Sequence, residues 1–520
     1  PRPPLHPRPL PPTPYLVGFG APPTPPPPPP PPPPGLLGRK LDADEQLVLG
    51  AGFVGGLIAA GVLGGILLKM VGFLLIAGVC AWATLVPFRG RTYLRWFEIN
   101  RTYKKLLRDG SLLYRSRAPY SGRYIDGRRV PIDVPVGVPR TMQWIAARTA
   151  FGEIAIVLQP DELMFTAVVE VEGQRDFGSL DTTDKETLIR AYEYLLKTTA
   201  DSGGRIQRLQ WISRVVPTDP NAHLRDAAER RDTNSPTWLQ QSYDDLIRRV
   251  AVTSEDRRLL LVVGIPYTAD LAAEARRYNT LHEGYAITLG QEIESFIRSL
   301  GRGQLRHVRN LDEAGLASYL HHAYDPSHWI DDTAGMDRIT CWPAILDARN
   351  KKYTASRSWE AAEDNWYSMT AWVKELPALP VGINFLAPIL LYIQDTILSV
   401  SVVMDLVSTD QAITEAMADA TNELGQADKK TGRIEDPREQ KAQSASIRTM
   451  RDIADGAAGT RLAAWITVTS PTVDALRRDA DTVRAGATRA GLRLEWCDTE
   501  HHRAFANTLP FAAGLLKEGR

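Results

Sequence analysis

Apolar positions change rhythm along this chain. From Leu47 to Phe88 they are nearly continuous, with Lys69 as the only charge. Beyond Arg89 they become periodic, every second residue in some segments and every third or fourth in others. One membrane crossing takes about 20 apolar residues, so the continuous run is long enough for two, with a turn at Leu68, Lys69 and Met70. Backbone groups in lipid must bond within their own segment, which makes the predicted element a two-helix transmembrane hairpin over 47–88. Gly50, Gly52, Gly55, Gly56, Gly61, Gly64 and Gly65 would let its helices approach closely. The run is too long, and starts too late, for a signal peptide.

In the periodic part, FGEIAIVLQPDELMFTAVVEVEG reads as two strands around a turn at Gln159, Pro160 and Asp161. Thr182 or Thr183 caps a helix to about Thr198, followed by a strand from Ile206 to Val216. A helix from about Trp238 to Val250 precedes the apolar strand Leu259 to Ile265. Ala272 to Leu300 reads as helix with a break near Gly284 to Thr288. Further on, strands are expected at Trp366 to Glu375, Thr396 to Asp405, Leu462 to Thr469 and Leu492 to Cys497. Helices are expected at Thr409 to Leu424, Asp436 to Ala457 and Thr472 to Ala490, with a helical start near His501. Strands alternating with helices, hairpins and long helical insertions predict an α+β class with cytoplasmic split-βαβ, ferredoxin-like subdomains. The first would cover 141–309 and the second 360–520, with an irregular joint at 310–359.

Charge orients the predicted hairpin. The basic segment 89–140 opens with Arg89, Arg91, Arg95, Arg101, Lys104, Lys105 and Arg108, and Lys and Arg beside a span mark its cytoplasmic side. Arg39 and Lys40 flank the other end. The expected placement is therefore multi-pass in the cell membrane with both termini cytoplasmic. Trp82 and Trp96 suit the headgroup layer, and Arg89, Arg91, Lys104 and Lys105 complete the expected membrane interface. The tail over 1–40 includes an unbroken run from Pro25 to Pro34, which favours polyproline II and reads as a spacer or docking strip.

Composition narrows the chemistry. With 61 basic and 61 acidic residues, no global field draws nucleic acid, so direct nucleic-acid binding is not expected. Cys80, Cys341 and Cys497 have no metal or redox spacing. The chain has no Gly-Lys dipeptide and therefore no phosphate-cradling Walker loop. Gly301 and Gly303 begin a dinucleotide fingerprint that fails at its last glycine. Neither HExxH nor GxSxG occurs. His321, His322, Asp325 and His328 could supply metal ligands, but a helix ending at the Asp325-Pro326 turn accounts for them as well. The expectation is a chain without catalytic residues, cofactor or metal.

The closing segment His501-His502-Arg503-Ala504-Phe505-Ala506-Asn507-Thr508-Leu509-Pro510 resembles the Ala-Phe…Leu-Pro signature near the end of the N-terminal domain of TraC/TrbE-type conjugation ATPases. Ala323-Tyr324-Asp325-Pro326, the stretch Asn365 to Pro377 and Leu113-Tyr114-Arg115-Ser116 resemble actinobacterial conjugation membrane proteins. Those fuse a PrgI-like two-helix segment to that domain. The resemblance covers about Leu47 to Leu516. It implies a non-enzymatic, membrane-anchored subunit of a conjugative type IV secretion apparatus. Such a subunit would act as platform for a separate P-loop motor ATPase, contact other channel subunits and form a homo-oligomer. In the fused relatives the motor follows the Leu-Pro position, so Phe505, Leu509 and Phe511 are the expected partner contacts. A type VII secretion membrane component is the alternative, and an anchored enzyme of another type a minor one. Neighbouring relaxase and ATPase genes would mark conjugation, and small WxG secreted proteins type VII.

Overall fold

A computed structural model describes residues 66–85, 87–88, 91–118, 124–125, 128–129, 133–174, 180–201, 204–217, 235–251, 255–359, 365–377, 381–407 and 459–515, with scattered positions between 48 and 58. The chain forms two units, Pro1–Pro87 and Phe88–Arg520. The expected proline tail, and the helices expected at 409–424 and 436–457, lie outside the described residues.

In the first unit Ile66–Leu85 is one helix, α1. Leu68, Lys69 and Met70, the expected turn, lie inside it. The described positions between 48 and 58 are helical, and a Cβ on Gly52 would fall 2.5 Å from the Cβ of Cys80. Glycine is therefore needed there for a close approach. Side chains of α1 are described only between Met70 and Trp82, fewer positions than the about 20 residues of a crossing. Among the described residues no helix is long and apolar enough to cross a membrane. This corrects the expected transmembrane hairpin, and with it the membrane assignment and the multi-pass placement. An unbroken apolar run with spaced glycines suits close helix packing as well as it suits lipid, and the sequence pattern alone does not separate the two.

The second unit is an α+β structure dominated by one antiparallel sheet with 13 strands among the described residues. Its first elements are α2 (Tyr93–Arg108), β1 (Leu113–Arg115), β2 (Gln143–Thr149), β3 (Gly152–Gln159) and β4 (Met164–Gly173). Next come α3 (Thr182–Asp201), β5 (Arg208–Pro217), α4 (Thr237–Ala251), β6 (Glu255–Pro266), α5 (Ala269–Ala275), α6 (Leu281–Ser299), β7 (Leu305–Asn310) and α7 (Glu313–Tyr324). The remainder is β8 (Ile345–Asp347), β9 (Thr354–Arg357), β10 (Trp366–Glu375), α8 (Ala387–Leu390), β11 (Ile397–Val407), β12 (Gly459–Ser470), α9 (Val473–Arg489), β13 (Arg493–Trp496) and α10 (His501–Ala506). The segment expected to be an irregular joint thus holds α7, β8 and β9.

The sheet runs β1-β8-β9-β10-β12-β11-β5-β6-β4-β3-β2, with β7 also pairing β4 and β13 also pairing β10. The two halves repeat one plan. In the first, β4, β5, β6 and β7 lie in the order β7-β4-β6-β5; in the second, β10, β11, β12 and β13 lie in the order β13-β10-β12-β11. Each half slots a later strand between two earlier ones, as split βαβ units do. The halves join edge to edge where β5 pairs β11, from Leu398 opposite Val215 to Asp405 opposite Arg208. The two expected subdomains therefore share one continuous sheet.

Strand periodicity assigns the faces. On one face Leu209, Leu261, Val263 and Ile265 pack with Leu195 of α3, Leu271 of α5 and Leu289 of α6. Across the seam the same face continues through Val215, Leu398, Ile466 and Val468 against Leu476 and Val483 of α9. On the other face Ile212, Val262 and Val157 meet α7, Trp342, Phe505, Leu509 and Phe511. Side chains of Thr92, Thr268, Thr280, Asp312 and Thr472 accept backbone N–H bonds at the starts of α2, α5, α6, α7 and α9. The break expected near Gly284 falls earlier, between α5 and α6. Gly284 is instead a contact point, because a Cβ there would lie 2.0 Å from the Ala275 carbonyl oxygen.

Candidate functional site

The second face carries a buried polar stripe across the seam. Alternation in β5 (Leu209-Gln210-Trp211-Ile212-Ser213-Arg214) sends Gln210 and Arg214 to that face with Ile212. Register places Ser399 and Ser401 of β11 beside them. Gln210, Arg214, Ser399 and Ser401, with Thr370 of β10 and Thr467 of β12, are all buried.

This stripe holds the main chain of the closing segment. The Gln210 amide donates to the carbonyls of Asn507 (3.1 Å) and Leu509 (3.0 Å), and its oxygen accepts from the Ala512 N–H at 2.7 Å. The Ser401 hydroxyl donates to the Asn507 carbonyl at 2.9 Å. Gln159 Nε2 donates to the Phe511 carbonyl at 2.8 Å, Arg208 Nη1 to that of Ala512 at 3.1 Å, and Trp465 Nε1 to that of Gly514 at 3.2 Å. Buried carbonyls need donors, and here sheet side chains from both halves supply them. Gly514, at φ +99°, adopts a turn that glycine favours.

Phe505, Leu509 and Phe511, the expected partner contacts, are 5%, 1% and 1% exposed. Phe505 packs on Tyr324 with ring centroids 4.9 Å apart. In this structure the three pin the closing segment inward. Of the expected membrane-interface residues, Trp82 is exposed in the first unit. In α2, Trp96 is half-buried and Lys104 and Lys105 are exposed. That helix docks through Ile99 and Tyr103, whose hydroxyl donates to the Arg349 carbonyl. Arg89 lies outside the described residues, and Arg91 sits in a two-residue strand.

Five of the chain's 9 histidines (His321, His322, His328, His501 and His502) are buried on this face. His322 Nδ1 lies 2.7 Å from the His328 carbonyl, and His328 Nε2 lies 3.0 Å from that of Asp332. Those two ring nitrogens thus meet backbone carbonyls, while His501 Nδ1 accepts from the Thr370 N–H at 3.1 Å. Among the described residues no cluster has the makings of a metal site. Burial, with Arg214 nearby, pushes His322 down to about 3. Burial, with Arg503 and His501 nearby, takes His502 to about 4. Burial also lowers Arg214 to about 10. Its guanidinium donates to Ser399 Oγ at 2.8 Å and to the His322 carbonyl at 3.4 Å. It is held by neutral acceptors, a costly arrangement for a buried cation.

The sequence did reveal the closing signature, but not Gln210, Gln159 or Arg214. The only signal was a polar residue at inward positions of otherwise apolar strands. A crevice between Glu170, Arg258 and Arg309 and another between Trp144 and Trp342 each have room for about a water-sized group in their enclosed parts. The site is thus a bed for a polypeptide segment. A scan against protein-family models finds no match, and no curated protein is significantly similar to the chain.

Proposed function

We propose that this chain is a scaffold subunit of a conjugative type IV secretion apparatus, on which a separate P-loop motor ATPase docks beside residues 501–514. The observation that carries the reading is the clasp. Gln210, Gln159 and Arg208 from the first half, with Ser401 and Trp465 from the second, hold one closing segment on the seam. A segment bonded through its main chain to both halves leaves the sheet at a fixed place and direction, as a mount for a motor requires. The resemblance of Phe505 to Pro510 to the segment that leads into the motor of conjugation ATPases supports the same location.

The test measures association of the full chain with the P-loop ATPase of its gene cluster by surface plasmon resonance. Saturable binding is expected, weakened about tenfold (roughly 1.4 kcal/mol) by Gln210→Ala in a protein whose circular dichroism is unchanged. A folded full chain that binds no such ATPase would overturn the reading.

A further inference from the structure

A second feature lies on the same face. The loop before β2 and the loop after α7 enclose a crevice lined by Val134, Arg140, Met142, Trp144, Arg338 and Trp342. Its floor is apolar, since Trp144 is 8% and Trp342 1% exposed. Trp342 is fixed by its indole N–H, which donates to the Arg338 carbonyl at 3.1 Å. Its rim is cationic: Arg140 is exposed and Arg338 half-buried. Among the described residues neither guanidinium makes a hydrogen bond or an ion pair. Nearby, Arg117 reaches Asp133 at 3.8 Å, and Arg140 adds only its field to that carboxylate.

The crevice is tied to the closing segment. Gly137, at φ +98°, sits so close to α10 that a Cβ would lie 2.3 Å from the His502 carbonyl oxygen. Trp342 meets Tyr324 at 6.3 Å between ring centroids, and Tyr324 meets Phe505 at 4.9 Å. The floor of the crevice and the inner side of the clasp are thus one packed aromatic row. The crevice is small, and its enclosed part takes about one small polar group.

We propose that this crevice is a docking notch for an acidic side chain, borne on a protein segment with an apolar residue next to it. The two guanidinium groups, with no hydrogen bond or ion pair among the described residues, offer forked donors that match a carboxylate. Half-buried Met142, backed by the buried indoles, takes the apolar neighbour, and Met and Arg are among the types enriched where proteins bind proteins. A nucleic-acid strand fits less well. Two rim cations on a chain of zero net charge give no track for a phosphate backbone. This deepens the proposed docking function by naming the chemistry of the partner's contact, and it rests on that reading for its location.

The test uses the full chain and three fluorescent probes in anisotropy titrations. These are a peptide of alternating glutamate and leucine, the same peptide with glutamine for glutamate, and a single-stranded oligothymidine. Saturable binding of the glutamate peptide is expected, weakened tenfold or more in Arg140→Glu/Arg338→Glu and more mildly in Arg140→Gln/Arg338→Gln. Arg484→Glu, on the outer face of α9, should leave it unchanged. The Gln/Gln protein, checked by circular dichroism, keeps the test valid if charge reversal disturbs folding. Absent binding, equal binding of the glutamine peptide, or binding indifferent to both double variants would overturn the proposal. Preference for the oligothymidine would overturn the protein partner. The motor association assay is separate: motor binding that survives both double variants removes the notch and leaves the scaffold reading standing.

Discussion

On one face of the sheet Leu209, Leu261, Val263 and Val468 meet α3, α5, α6 and α9 through apolar side chains. On the other, Gln210, Gln159, Arg208 and Ser401 bind the backbone of one irregular segment. Apolar burial is proportional to area and nearly indifferent to direction, so the first face accepts any helix with the right stripe. Hydrogen bonds are directional and costly when unmade, so the second face specifies a single path for residues 507–514. The helix face supplies cohesion, whereas the polar face supplies position. Functional contacts belong where position is fixed.

The comparison can be broken by acid. His322 and His502 stay neutral in the folded chain down to about 3 and about 4, against an ordinary value of 6.5. Between those limits the unfolded chain binds protons that the folded chain refuses, so stability rises with pH there. Their contribution is complete above about pH 6.5 and is lost as pH falls toward 3, with His322 alone accounting for on the order of 5 kcal/mol. Urea titrations from pH 7 to 4 should show a steady decline, shallower in His322→Asn and His502→Gln. An unchanged slope in both variants would show that the histidines of the polar face do not govern it.

Matched deletions sharpen the contrast. Leu261→Ala on the fully buried helix face should cost about 2–5 kcal/mol by transfer and cavity terms. Gln210→Ala should cost about 2 kcal/mol, because the Leu509 carbonyl and the Ala512 N–H lose their partner. The difference in kind matters more than the size. Hydrogen exchange at Ala512 should accelerate in Gln210→Ala well beyond its change in global stability, and in Leu261→Ala only in step with it. Equal behaviour would mean that the closing segment unfolds only with the whole sheet.

What the sequence made legible follows the same division. The strands at Trp366–Glu375 and Gly459–Ser470, and the helix capped by Thr472, were readable because their apolar period is regular. Their assembly into one sheet was not, since nothing in β5 or β11 alone says that Val215 lies opposite Leu398. The polar stripe was hidden for a related reason. Gln210 and Arg214 look like solvent-facing residues of an amphipathic strand until α7 and the closing segment cover them. The closing signature was visible, yet the inward packing of Phe505, Leu509 and Phe511 depends on donors hundreds of residues away. The apolar run 47–88 misled because continuous hydrophobicity predicts burial without naming the surroundings, and α1 runs through the expected turn at Lys69.

The smallest effect is expected at the sheet's outer edge, where charge is solvated. Arg148 and Glu153 of the β2–β3 hairpin pair at 3.0 Å with side chains 86% and 57% exposed. Water screens both partners, and ordering two long side chains offsets most of the attraction, leaving about 0–1 kcal/mol. A double-mutant cycle with Arg148→Ala and Glu153→Ala should therefore give a coupling within that range, weakened further by added salt. Arg214 is the instructive opposite, since it is 1% exposed and, among the described residues, bonded to the neutral oxygens of Ser399 and His322. Replacing Ser399 with Ala removes one of those acceptors, and salt cannot reach the guanidinium to compensate. A salt-insensitive loss at Ser399 beside a salt-sensitive, near-zero coupling at Arg148 would place the specific electrostatics of this fold beneath the clasp. A strong coupling at Arg148 would instead give the edge hairpin a rigidity that its exposure does not predict.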